Sequence, residues 1–156
     1  MTERQEKAAT GGELVFAALG GLGEVGMNCY LYGLGPAARR KWLMVDLGIT
    51  FPEGEDDPGV DVIMPELKFI ESQGRNLAGL VLTHAHEDHV GAVIELWPRL
   101  KCPVYATPFT AAMVKAKLAE FGNKAKMQIE VLPMGARFDA ADRGNAAMVD
   151  VRQCLA

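Results

Sequence analysis

The most informative stretch of this chain is LVLTHAHEDHVGA, at residues 80–92. Its apolar start is typical of a buried strand. Its polar end places four candidate ligands within six positions: His84, His86, Asp88 and His89. Imidazole nitrogens and carboxylate oxygens are ligands that Zn²⁺ takes in proteins, and α/β sheets usually hold their chemistry at strand ends. The pattern predicts a metal site here and disfavours the alternative, a polar loop in which Asp88 only caps a helix.

Composition limits the classes of protein to which the chain can belong. Its 156 residues suit one domain, and 49% of them are hydrophobic. The net charge of −4 argues against a broad basic surface, so any contact with nucleic acid must be local or involve metals or parts outside this chain. Three widely spaced cysteines favour a reducing cytoplasm over a disulfide scaffold. We see neither an apolar signal segment nor a run long enough to span a membrane.

The order of predicted elements indicates an α/β fold. After a polar leader at 1–12, expected to be disordered, come strands in hairpin order and then strands alternating with helices. Residues 50–65 are rich in acidic residues and proline and predict a long loop. Thr107 and Pro108 are a typical start for a helix. The predicted strands are 14–19, 28–32, 42–45, 77–82, 104–106 and 127–132, and the helices 66–73, 90–100 and 108–121.

A competing motif points to a dinucleotide-binding domain. Gly21, Gly23 and Gly26 fit the pattern G-x-G-x-x-G after a strand, and Asp46 follows twenty residues later, where a ribose-binding acid is expected. That motif requires a helix whose N-terminus faces the pyrophosphate. Residues 28–32 look like a strand instead, so we rank this interpretation last. A helix at 28–32 would restore it.

The spacing His84-x-His86-x-Asp88-His89 after an apolar strand resembles the signature of the metallo-β-lactamase superfamily. The resemblance implies that His84 and His86 hold one metal ion and that Asp88 and His89 hold a second. The motif is specific for the superfamily but not for a substrate, because lactamases, thioesterases, oxidoreductases and nucleases share it.

Further motifs resemble the ribonuclease J family, the bacterial β-CASP branch of that superfamily, over about residues 13–139. They are LGGLGEVG at 19–26 followed by Asn28, VDLG at 45–48 followed by Phe-Pro, and GVD at 59–61. The resemblance implies the first half of an αββα sandwich, with a mixed sheet and helices on one face. It also implies a cytoplasmic, RNA-processing hydrolase that acts as 5′-to-3′ exonuclease and endonuclease with two zinc ions, and it leaves homo-oligomerisation of the full-length enzyme open.

The same resemblance assigns roles to two acids. Asp46 matches an acid at a strand end that orients the metal ligands, since a carboxylate that accepts the second N–H of a ligand histidine fixes its tautomer. With Asp88, it is our candidate for the catalytic set.

The chain also departs from this family. The family takes further histidines and a bridging acid from later segments, but no histidine follows His89, and residues 140–156 no longer match. We therefore expect an N-terminal fragment or a truncated or frame-altered product, with a partial domain at 13–139 and a tail at 140–156. We expect one zinc ion or none to be held stably. The function classes left open are an RNA hydrolase that is inactive alone, a non-catalytic metal-binding remnant, and another hydrolase of this fold.

Overall fold

The architecture is a single mixed sheet flanked by helices. The structure, a computed structural model, describes residues 13–52, 59–121, 126–133, 135, 137–139 and 148–150. Six strands pair in chain order; the first three are antiparallel, and the third to the sixth are parallel. They are β1 (Leu14–Gly20), β2 (Cys29–Leu34), β3 (Lys41–Val45), β4 (Leu77–Leu82), β5 (Val104–Ala106) and β6 (Ile129–Val131). A separate antiparallel pair joins β7 (Arg137–Asp139) to β8 (Met148–Asp150). The predicted mixed α/β sheet is confirmed.

The helices share one face of the sheet. They are α1 (Lys68–Gln73), α2 (Glu87–Val90), α3 (Val93–Leu100) and α4 (Pro108–Glu120), with 3₁₀ turns at Ala37–Arg39 and Gly74–Asn76. Side chains alternate along each strand, so Met44 and Leu80 meet Val93 and Val114 of the helices in the main core. The opposite face holds a smaller cluster of Leu43, Val81, Tyr105 and Leu132.

The helix predicted at 90–100 is wrong at its start. The structure has α2 and α3 there, divided at Gly91 and Ala92. The amide of Ala92 donates to the carbonyl of Leu47 at 3.1 Å instead of continuing α2. Asp88 lies inside α2, and His86 takes the N-cap position without a side-chain cap bond.

Two other local predictions are decided by the structure. Thr107 is the N-cap of α4, and its hydroxyl accepts from the amide of Thr110, so the predicted helix start is confirmed. The dinucleotide-binding interpretation is excluded, because the residues after Asn28 form β2 between β1 and β3 rather than a helix. Gly21, Gly23 and Gly26 have positive φ, as a glycine turn requires.

Some predictions fall where the structure gives no description. The leader at 1–12 lies outside the described residues, as does the tail at 140–156 apart from β8. Among the helices that are described, none has both the length and the apolar character needed to cross a membrane.

The packing of the sheet against its helices predicts a large effect for Leu80→Ala. Leu80 is fully buried in the main core, and truncating such a residue should lower the free energy of unfolding by about 2–5 kcal/mol. Leu14→Ala is the matched control: Leu14 is 71% exposed, so the same change should cost within about 0.5 kcal/mol. Urea denaturation measures both. Equal losses would contradict this assignment of the core.

Candidate metal centre

The predicted ligands lie at the carboxyl end of the parallel strands. Asp46 follows β3 directly, and Thr83 follows β4. The Asp46 amide donates to the carbonyl of Val81 at 2.8 Å, so the pairing of the two strands extends to the edge of the site. The chain then carries the histidines from the end of β4 through α2, which places them over this edge.

Asp46 is the most buried polar group of the site. Its side chain is 3% exposed and accepts from the amide and the hydroxyl of Thr83, each at 2.8 Å. Its Oδ2 also lies 2.7 Å from Nδ1 of His89. A carboxylate in this position keeps the proton on Nδ1 and leaves Nε2 as the basic nitrogen. The hydrogen bond to Asp46 raises the pKa of His89 above its usual value, since it stabilises the charged ring.

The three imidazole rings lie close together. The ring centroids of His84 and His86 are 4.8 Å apart, and those of His84 and His89 are 3.9 Å apart. Nδ1 of His84 lies 3.0 Å from the Thr83 hydroxyl. Partial burial lowers the pKa of His84, and the neighbouring His89 lowers it further. Two histidines only five positions apart therefore have their pKa values displaced in opposite directions.

Asn28 is a site residue that our sequence reasoning named only as part of the family motif and to which it assigned no role. Its side-chain nitrogen lies 3.2 Å from Oδ2 of Asp88 and 3.2 Å from Nε2 of His89, and it donates to the Asp88 carbonyl at 3.0 Å. The Tyr30 hydroxyl donates to Oδ1 of Asn28 at 2.8 Å and fixes the orientation of the amide. The sequence feature that could have identified Asn28 is its position immediately before β2, the strand that pairs with β3.

Backbone hydrogen bonds hold the histidine segment in place. The amides of Leu47 and Ile49 donate to the carbonyls of His89 and Glu87, at 2.8 and 3.1 Å. Gly48 lies between them, with its amide bonded to the Asn28 carbonyl at 3.0 Å. A Cβ atom on Gly48 would lie 1.7 Å from the carbonyl oxygen of Asp88, so only glycine permits this approach.

The histidines and Asp88 have donor atoms of the kind that metal ions bind. The number of donors that lie together is smaller than a metal site usually needs. Oδ2 of Asp88 and Nε2 of His89 lie 3.2 Å apart. Within the described part of the chain, however, no three His, Cys, Asp or Glu side chains are placed to hold one ion together. Zinc sites that retain their metal usually have three or four protein ligands. The described residues therefore offer donors of suitable chemistry, but fewer than a firmly held zinc ion usually has.

The sequence of this chain is similar to those of several known proteins. The metallo-beta-lactamase superfamily matches residues 22–150. Ribonuclease J from Sinorhizobium meliloti is 50% identical over 127 residues, which cover 81% of this chain and 22% of that protein. Ribonuclease J from Mycolicibacterium smegmatis is 43% identical over 119 residues, covering 74% and 20%. The chain thus spans about a fifth of the length of these curated relatives.

A solved structure, Zn²⁺-bound PqqB from Methylobacterium extorquens, matches with a TM-score of 0.44 and 16% identity. The match covers 71% of this chain and 36% of that one.

Gly48→Ala tests the close approach of the two backbones. The added Cβ collides with backbone atoms of Asp88, so we expect a loss of more than about 3 kcal/mol in the free energy of unfolding. Gly23→Ala is the control, since Gly23 has a φ of +78° but open space around it and should cost only about 1–2 kcal/mol. Chemical denaturation compares the two variants. A smaller loss for Gly48→Ala than for Gly23→Ala would contradict the packing described here.

The histidine pKa values can be measured by NMR titration of the imidazole protons in EDTA. We expect His89 to titrate above, and His84 below, the usual histidine value of about 6.5. Asp46→Asn should lower the pKa of His89, because it removes the negative charge that stabilises the protonated ring. Single histidine-to-glutamine variants assign the signals. Titration of His84 above His89 would contradict the geometry.

Proposed function

The chain belongs to the metallo-beta-lactamase superfamily, and from this premise we propose that it supplies the histidine segment of a metal-dependent RNA hydrolase resembling ribonuclease J. The observation that carries the proposal is the contact of buried Asp46 with His89, beside His84 and His86. This contact between Asp46 and His89 occurs in a chain that is 50% identical over 127 residues to a ribonuclease J. The buried free thiols of Cys29 and Cys102 favour a cytoplasmic setting.

In this proposal each side chain has a separate role. His84 and His86 bind one zinc ion, and Asp88 and His89 bind another, with further ligands from outside the described residues. Bound zinc ions supply an activated water and neutralise charge on a phosphodiester. Asp46 holds the proton on Nδ1 of His89 and so keeps Nε2 available.

Asn28 and Thr83 act as positioning residues in the same site. The Asn28 amide restrains the Asp88 carboxylate from one side, and Asp46 restrains His89 from the other. The Thr83 hydroxyl contacts both Asp46 and His84. Restraint of this kind limits the motion of ligand side chains, and in reactions that depend on positioning it can be worth several kcal/mol of the barrier.

We further propose that the 156-residue chain does not hydrolyse RNA by itself. Each predicted ion has two protein donors here, and the described residues hold no three-donor group. Fewer protein ligands would hold a zinc ion less tightly and in a less defined position. The same observation favours a second candidate function, a protein that binds metal weakly and catalyses nothing in any context.

A chimera separates these two functions. Residues 13–139 of this chain should replace the matching segment of the Sinorhizobium meliloti ribonuclease J, which supplies the remaining length. We expect the chimera to degrade 5′-monophosphorylated RNA with Zn²⁺ or Mn²⁺, whereas the isolated chain shows no turnover above a metal-only blank. His86→Ala in the chimera should abolish hydrolysis, and Asp46→Asn should lower it by about 10- to 100-fold.

Lys115→Gln is the control in the chimera, because Lys115 is exposed on α4 and lies apart from the histidines in the described contacts. A folded chimera without activity would favour the non-catalytic alternative. Turnover by the isolated chain that His86→Ala removes would show that the missing ligands come from another source, such as a second subunit.

A further inference from the structure

A basic groove lies at the end of the sheet opposite the histidines. Its volume is about 1230 Å³, and it borders the starts of β3, β4, β5 and β6. The charged residues that line it are four cations and a single acid: Lys41, Arg75, Lys101, Lys126 and Glu130. The chain as a whole has 16 basic and 20 acidic residues. The groove therefore concentrates positive charge in a protein whose net charge is negative.

Within the described part of the chain, none of the four cations that line the groove forms an ion pair with a carboxylate. Among the described residues, the ion pairs of lysine and arginine involve Arg40, Lys68, Arg99 and Lys117, and none of these four lines the groove. Lys41 donates to the neutral side chain of Asn76 at 3.3 Å. Glu130 offsets only one of the four positive charges, so the cations repel one another and an anionic ligand relieves that repulsion.

Ordered backbone and a tryptophan form one wall of the groove. Nε1 of Trp97 donates to the carbonyl of Cys102 at 2.8 Å. Lys101 ends α3 with a φ of +49°, a left-handed conformation uncommon for lysine, and its amide donates to the Trp97 carbonyl at 2.9 Å. These bonds fix the backbone from which the Lys101 side chain extends. The attachment point of Lys101 in the groove is therefore in place before a ligand binds.

We propose that this groove binds the phosphate backbone of single-stranded RNA. The choice of RNA rests on the proposed function; the preference for a polyanion comes from the charges of the groove. Positively charged grooves that follow the backbone are the usual means of binding single strands. The remaining acidic surface repels RNA and so confines it to the groove. Because β4 has six residues at roughly 3.3 Å each, the groove lies about 20 Å from the histidines and serves retention rather than cleavage.

Fluorescence anisotropy with a labelled oligouridylate tests the groove directly. The full chain is titrated in EDTA at low salt, so that neither metal nor hydrolysis contributes. Arg75→Gln/Lys101→Gln removes two cations from the groove. Arg39→Gln/Lys115→Gln removes the same charge from exposed residues that do not line it. Arg39 and Arg75 both lie in 3₁₀ turns, which makes the pairs closely matched.

We expect the groove variant to bind roughly tenfold more weakly, with a slope of log K against log salt shallower by about 1.4, or about 0.7 for each lost phosphate contact. The control variant should stay within about twofold of the unmodified chain. Unchanged circular dichroism and thermal midpoints show that both variants fold.

Three results overturn the proposal: no binding by the unmodified chain at low salt, equal weakening in both variants, or tighter binding of a duplex than of the single strand. Hydrolysis plays no part in this binding assay, so a negative binding result leaves the chimera result intact. An inactive chimera likewise leaves the binding result intact.

Discussion

The site depends on the hydrogen bonding of one buried carboxylate. A buried, unpaired charge is costly, and Asp46 avoids that cost by accepting from the amide and hydroxyl of Thr83 and by pairing with Nδ1 of His89. Asp46 also has a φ of +62°, an uncommon backbone conformation for a residue other than glycine. Those partners offset the strain and tie the ends of β3 and β4 to the histidine segment. Without Asp46, His89 would lose its carboxylate partner, and Thr83, which also contacts His84, would lose its acceptor.

The rest of the site is held together by the close packing of backbone segments at the ends of β3 and β4. Residues 47–49 lie between Asn28 on one side and α2 on the other, with hydrogen bonds in both directions. The lack of a side chain at Gly48 allows this arrangement, and Asn28 uses the resulting proximity to reach Asp88 and His89. Two segments distant in sequence, Asn28 and residues 46–49, thus restrain the same two candidate ligands. Such restraint is the physical basis for our proposal that this segment holds metal ligands and is not merely a polar loop.

The two ends of the sheet carry opposite kinds of chemistry. At the carboxyl ends of the strands are imidazoles and carboxylates suited to cations, and at the amino ends is a groove lined by four lysine and arginine side chains and one glutamate, which suits anions. For an RNA hydrolase, these arrangements separate the reacting site from a retention site. If the groove binds RNA as proposed, the separation accounts for local retention of a polyanion by a chain with net negative charge.

The sequence by itself determined the elements that depend on local pattern: the alternating strands, the Thr107 cap of α4 and the histidine segment after β4. Only the tertiary structure decided the break between α2 and α3, because the Ala92 amide bonds to Leu47, some 45 residues away in the chain. It alone brought Asn28 to His89, and Lys41 into a common groove with Lys126. Periodicity and capping are properties of neighbouring residues. Close approach and charge clustering between remote segments arise only when the sheet brings those segments together.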